Sequence, residues 1–265
     1  MSPSPEEAPR LVEMRGISKR FGGVVALDAV DFSADGGEVV ALLGDNGAGK
    51  STLMNTLSGA LRADGGRILL AGNAVRIERP KDSKDLGIET VYQDLALCDN
   101  VDVPTNLFLG REVMQRVPAT PIRVFAKRRM AQLTRQFLDQ LEIELSDLGV
   151  PVKFLSGGQR QSIAIAKAVS NQAKVVILDE PTAALGVVQT ENVLNLVKTL
   201  RDRGLCIIYI SHNMEDVFQV ADRMVVLKNG RVVGERRRAD TNRDEIARLI
   251  ITGSGGMHDR AENDV

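Results

Sequence analysis

Apolar residues cluster along this chain in short runs. "VVALL" from Val39, "KVVIL" from Lys174 and "LCIIYI" from Leu205 are strand-sized and bounded by turn or charged residues. Unbroken runs of this kind mark strands buried on both faces. Between two of them the spacing changes. Val193, Leu196, Val197 and Leu200 keep one helical face apolar until Gly204 supplies a stop, and the next strand follows. The segment Glu38 to Gly44 reads as a buried strand that feeds a glycine-rich loop and then the helical run "KSTLMNTLSG". This alternation predicts an α/β fold, a mostly parallel sheet covered on both faces by helices. Before Glu38, and again in "GRILLAGNAVRI", β-leaning segments broken by Gly-Gly or Gly-Asn predict antiparallel hairpins in a small sheet beside the main one.

From about Val103 to Leu148 the strand signal vanishes. The stretch "RVFAKRRMAQLTRQFLDQLEIEL" mixes charge with apolar positions near helical spacing, which predicts a helical subdomain over about 95–158 with a solvated basic side and a packed apolar side. The expected organisation is a flexible N-terminus over 1–10, one domain over 11–235, and a C-terminal helix with a frayed tail over 236–265.

Composition narrows the function. An apolar content of 43% in 265 residues is enough for a sizeable core. Lys and Arg number 34 against 35 acidic residues, so no overall field draws the chain to nucleic acid or anionic lipid, and no nucleic-acid partner is expected. The run Arg236-Arg237-Arg238 reads as solvated surface. Cys98 and Cys206 lie far apart, which suits two small core residues in a reducing compartment and argues against structural zinc. The first ten residues carry proline and charge where a signal peptide needs an apolar stretch, so export by that route is not expected. The apolar runs fall well short of the roughly 20 residues that cross a bilayer, so a membrane role needs a partner.

The loop after the first buried strand carries candidate chemistry. Gly44-Asp45-Asn46-Gly47-Ala48-Gly49-Lys50-Ser51-Thr52 fits G-x-x-x-x-G-K-[ST] in the required strand–loop–helix context. Glycines let the backbone wrap phosphate oxygens, the helix start supplies partial positive charge, and Lys50 adds a full one. Ser51 offers a hydroxyl to magnesium. "KVVILDEP" places Asp179 and Glu180 at the carboxyl end of another buried strand, where open α/β sheets bind ligands. Asp179 suits a Mg²⁺ site, and Glu180 suits orienting or deprotonating a water that attacks the γ-phosphate.

"LSGGQRQS", Leu155 to Ser162, is a second helix start. Ser156 and Gln159 have capping-box spacing, which accounts for both without any ligand. It accounts less well for Gly157 and Gly158, whose bare N–H groups suit a buried anion.

Together and in this order, the P-loop, "LSGGQ", "VVILDEP" and "YISHNMEDV" resemble the ATP-binding cassette family from about Leu11 to Gly234. The resemblance implies a RecA-like P-loop NTPase core with a small antiparallel β subdomain and a helical subdomain. It implies ATP and Mg²⁺ as ligands and ATP hydrolysis as the activity. Gly44 to Thr52 resemble the Walker A loop, and Asp179 and Glu180 the Walker B pair. Ser156, Gly157, Gly158 and Gln159 resemble the signature. Gln93 in "VYQD" resembles the Q-loop glutamine that reaches the metal, and His212 the switch histidine on the γ-phosphate. Phe21 in "KRFGG" stands where the family often stacks an aromatic on adenine.

In that family two cassettes pair head to tail, so the resemblance implies a dimer with a second copy, sandwiching two ATP molecules. Finer wording, "ISKRFGGVVALDAVDF" and "DEPTAALGVVQT", resembles the branch serving simple-sugar importers. It implies a separate integral membrane permease, indirectly a periplasmic sugar-binding protein, and a peripheral position on the cytoplasmic face of the cell membrane. Two departures stand out: this chain carries one cassette where that branch usually joins two, and Gly186 occupies the usual place of the D-loop aspartate. The alternatives are another transporter class, a soluble cassette machine, and a non-hydrolysing sensor, which an intact Glu180 and His212 disfavour.

Overall fold

A computed structural model describes residues 10–118 and 120–253. The expected flexible N-terminus, apart from Arg10, and the expected frayed tail lie outside the described residues. The chain opens with β1 (Val12–Phe21), β2 (Val24–Ala34), β3 (Val39–Leu43), α1 (Lys50–Leu57), β4 (Gly65–Leu70), β5 (Asn73–Val75), α2 (Pro80–Asp85) and β6 (Ile88–Val91). The middle holds α3 (Val103–Leu107), β7 (Met114–Arg116), β8 (Arg123–Phe125), α4 (Lys127–Gln140) and α5 (Gly157–Val169). It closes with β9 (Val175–Asp179), α6 (Val187–Asp202), β10 (Cys206–Ile210), α7 (Met214–Val220), β11 (Arg223–Lys228), β12 (Arg231–Arg237) and α8 (Arg243–Thr252).

Six strands form the main sheet in the order β12-β11-β3-β10-β9-β6. All pair in parallel except the edge strand β12, which runs antiparallel to β11. The continuous apolar runs are explained by what each face meets. Val39, Ala41 and Leu43 join a core with α5, α6, α7 and α8, while Val40 and Leu42 join a second core with α1 and the antiparallel strands. Helices therefore meet both faces, as the alternation predicted, with α1 on the second. The antiparallel sheet, order β2-β1-β4-β5, covers much of one face together with α1, instead of lying beside it.

The helical region also departs from expectation, because β7 and β8 pair antiparallel inside it and α4 begins only at Lys127. Pro118 and Pro121 flank the turn, and each removes a backbone donor and steers the preceding residue to extended backbone. The Val117 N–H donates to the Ile122 carbonyl at 3.0 Å and continues the pairing toward that turn.

One cationic side chain binds the two sheets at the end away from the strand tips. Arg223, at the start of β11, donates to both carboxylate oxygens of Glu38 at 2.8 and 3.0 Å. It also donates to Glu235 at 2.9 Å on β12 and to the Ser33 carbonyl at 2.7 Å on β2. Its side chain is 9% exposed, whereas Glu235 is half-exposed. Arg223→Ala strands Glu38 without a counter-charge and should cost about 2–4 kcal/mol, reduced from a fully buried pair by the solvation of Glu235. Urea unfolding checks this; an unchanged midpoint would show that the cluster adds nothing to stability.

Candidate active site

The parallel ladder sets the site. Leu42 of β3 pairs with Ile210 of β10, and Ile210 pairs with Asp179 of β9. Val91 of β6 pairs with Leu178 of β9. Residues just beyond these pairs emerge within one residue of the same level: Gly44 after β3 and His212 after β10 stand one step further out than Glu180 after β9 and Gln93 after β6. Four neighbouring strands thus deliver four of the expected motifs to the same carboxyl edge of the sheet.

At β3 the chain turns through 44–49 into α1. Gly44 and Gly49 have φ of 145° and 107°, and the space around them is already filled. A Cβ on Gly44 would run into the Leu227 carbonyl oxygen, and one on Gly49 would meet the Ala26 carbonyl oxygen at 2.8 Å. Both must be glycine for the loop to lie against β11 and β2. Asp45, Asn46 and Gly47 are exposed, while Ala48 is buried beneath them. The Lys50 ammonium donates to the carbonyls of Gly44 at 2.6 Å and Asp45 at 3.0 Å, which holds its charge inside the curl. Burial lowers its pKa, and the charges of Glu180, Asp179 and Asp45 oppose that shift.

Asp179 is half-buried. Burial raises its pKa first and the neighbouring Glu180 charge adds to this, with Lys50 pulling the other way. Glu180 sits at φ 51°, a left-handed backbone that a non-glycine residue adopts at a cost of about 1–3 kcal/mol. Its N–H still donates to the Ile210 carbonyl at 2.9 Å, so the ladder continues while its side chain turns. The His212 Nδ1–H donates to Glu180 Oε1 at 2.8 Å. Glu180 is largely covered and His212 largely exposed.

No cluster of three or more His, Cys, Asp or Glu side chains able to hold a metal occurs among the described residues. Ser51, Asp179 and Gln93 supply a hydroxyl, a carboxylate and an amide oxygen. That set suits hard Mg²⁺ and leaves its other positions to phosphate oxygens and water.

Phe21 ends β1, half-exposed, with the Lys19 ammonium 5.6 Å from its ring centre. It pairs with Val24 on β2, and β2 passes over the P-loop at Ala26. The hairpin thus places an apolar surface near the loop.

The signature stands apart. Ser156 caps α5: the Gln159 N–H donates to Ser156 Oγ at 3.2 Å, and the Ser156 N–H donates to Gln159 Oε1 at 2.9 Å. Among the described residues, no hydrogen bond or ion pair joins 156–159 to the P-loop. Gly157 is exposed, but Gly158 is buried, and a Cβ there would meet the Gln189 Cβ at 2.6 Å. Gly158 therefore has a packing reason in the contact of α5 with α6, whatever else its N–H group does. Gly186 has an ordinary φ of −74° and serves as the N-cap of α6 without a side-chain cap.

Sequence reasoning missed a buried polar group behind the edge. Thr182 Oγ1 donates to Asp216 Oδ2 at 2.6 Å and lies 3.3 Å from the Tyr209 hydroxyl. All three are buried. They tie the turn after Glu180 to α7, which begins just after His212. The available signal was Tyr209 itself, a hydroxyl in an aliphatic strand that needs a partner.

Residues 27–183 match the ABC transporter family. The chain is 43% identical over 242 residues to the xylose/arabinose import ATP-binding protein XylG of Sulfolobus acidocaldarius, covering 91% of this chain and 94% of that protein. It is 44% identical to the fructose import ATP-binding protein FrcA of Rhizobium meliloti, over 83% of this chain and 86% of that protein. A ribose import ATP-binding protein of Rubrobacter xylanophilus is 43% identical over 91% of this chain, which spans 47% of that longer protein. Among solved structures, an ATP-binding cassette of an ABC transporter in its ADP conformation superimposes with a TM-score of 0.76 at 26% identity, over 91% of this chain and 95% of that one. The P-loop on β3, the acidic pair on β9 and this extent of likeness lead to one conclusion: the chain belongs to the ABC transporter family, as an ATP-binding cassette ATPase.

Proposed function

We propose that this chain is the ATP-hydrolysing subunit of an importer for simple sugars, working as a head-to-tail pair on the cytoplasmic face of a membrane permease. The observation that carries the hydrolytic part is the convergence of Lys50, Asp179, Glu180, His212 and Gln93 on one edge of four parallel strands. The sugar rests on the import proteins the chain resembles. A sugar-binding protein outside the membrane belongs to the same reading.

In the proposed mechanism the N–H groups of 44–52 and Lys50 hold the β- and γ-phosphates. Ser51, Asp179 and Gln93 would hold Mg²⁺, which would supply charge neutralisation for the phosphate oxygens when bound. Glu180 accepts the proton of the attacking water, and His212, hydrogen-bonded to Glu180, fixes the carboxylate and faces the γ-phosphate. Phe21 stacks on the base. Ser156, Gly157, Gly158 and Gln159 complete the site of a second copy; among the described residues no hydrogen bond or ion pair joins them to their own P-loop. Loss of the γ-phosphate then reopens the pair.

The permease has a fitting receptor. A groove of about 440 Å³ lies beside the stretch after Gln93, lined by Tyr92, Leu95, Leu107, Leu109, Arg111 and Lys167 among others. At one end of α5 Ser156 forms the cap, and near the other Lys167 donates to the Ala96 carbonyl at 2.9 Å. One rigid helix, about 1.5 Å per residue, thus links the groove to the signature. No helix among the described residues is long and apolar enough to cross a membrane.

Glu180→Gln should retain ATP binding, lose about 10²–10⁴-fold in hydrolysis, and elute as a stable dimer with ATP on gel filtration. Hydrolysis within tenfold of wild type would remove Glu180 as the base, and monomeric elution would count against the pairing. Gln93→Ala should keep nucleotide binding but weaken hydrolysis coupled to sugar uptake in vesicles carrying the permease; unchanged uptake would remove its coupling role.

A further inference from the structure

The β7–β8 ribbon takes no part in the proposed catalytic cycle. All six of its strand residues are exposed. Among them and at the turn, Met114, Ile122, Val124 and Phe125 are 44%, 58%, 39% and 53% exposed. Met114 pairs with Phe125 and Arg116 with Arg123, so these four share one face, while Val124 faces the other way. A two-stranded ribbon with apolar side chains uncovered on both faces has little stability of its own in water.

Charge surrounds it. From Arg111 to Arg129 the sequence holds six cations and one carboxylate, Glu112, within a chain of net charge −1. Arg116, Arg123, Lys127, Arg128 and Arg129 are all exposed and, among the described residues, form no ion pair. Many other arginines on this chain do pair, including Arg15, Arg76, Arg201, Arg223, Arg231 and Arg243. Lys127, Arg128 and Arg129 also form the first turn of α4, where the helix dipole disfavours positive charge and no acidic residue offsets it. That arrangement suits an external anion.

We propose that this ribbon and the first turn of α4 form a membrane-contact site. Ile122, Val124, Phe125 and Met114 enter the headgroup boundary, and the five free cations hold anionic phospholipid headgroups. A flat protein partner covers one face of a protruding ribbon, whereas a lipid surface surrounds both, and the mix of basic and apolar residues is that of interfacial segments. The ribbon starts three residues after Arg111, which lines the groove proposed for the permease, so the two surfaces are close neighbours along the chain. To that extent the inference rests on the proposed function.

The test is sedimentation of the full chain with phosphatidylcholine vesicles, with and without phosphatidylglycerol, in the absence of permease and nucleotide. Binding to the anionic vesicles should be stronger by about tenfold or more and should fall steeply with salt. Replacing Arg116, Arg123, Lys127, Arg128 and Arg129 with Gln should abolish that difference while ATP binding stays unchanged. The chain contains no tryptophan. In Ile122→Trp, therefore, a blue shift on adding anionic vesicles reports insertion directly. Equal or absent binding to both vesicles, or full binding by the charge variant, overturns the proposal, as does a ribbon that only retains the permease. Groove variants such as Tyr92→Ala should leave vesicle binding intact. Failure of permease docking would therefore show in uptake and not in sedimentation.

Discussion

The parallel register of β3, β10, β9 and β6 is the constraint from which the site follows. Because Leu42, Ile210 and Asp179 stand level across three strands, Gly44, His212 and Glu180 emerge within one residue of a common height. Both faces of this sheet are buried, so a slip of one residue would send apolar side chains to the wrong core and lift one motif out of line with the others. Core packing and catalytic geometry are therefore held by the same ladder. Local cost is concentrated at the edge it defines: Glu180 takes a left-handed backbone, and Gly44 and Gly49 allow approaches that no side chain would permit.

That edge holds the charges of a triphosphate site but lacks the signature. The cap of α5 satisfies Ser156 and Gln159 within their own chain and leaves Gly157 facing outward. A helix start presented in this way, with its own P-loop not joined to it, suits the phosphate of a second copy. The buried contact of Thr182, Tyr209 and Asp216 ties together the segments bearing Glu180 and His212, whereas the stretch after Gln93 runs along the groove proposed for the permease. Ala96 in that stretch has φ 49°, which marks it as a strained turn.

The buried strands and the P-loop were legible because each is specified locally. "VVALL" and "VVIL" are unbroken apolar runs, and the glycine spacing before Lys50 has one common structural use. Ser156 and Gln159 were legible as a cap for the same reason. The role of Gly158 was hidden, since its neighbour Gln189 is brought to it only by the packing of α5 on α6. The β7–β8 ribbon was missed because its strands are three residues each and interleave arginine with apolar residues, which reads as a helix continuing into α4. The two prolines at its turn carried the contrary signal. The covering of one sheet face by antiparallel strands was not legible, because hairpin signals give pairing and not placement.

On the proposed function, a complete hydrolytic site needs two copies of this chain, each supplying the part the other lacks. The measurement that tests it most directly is the ATPase rate per protomer across a dilution series of the pure protein at saturating Mg-ATP. Pairing of this kind gives a rate per protomer that rises with protein concentration at the dilute end and levels off as pairs fill. A rate per protomer that stays constant down to the most dilute sample, with Ser156→Arg as active as wild type, would contradict it.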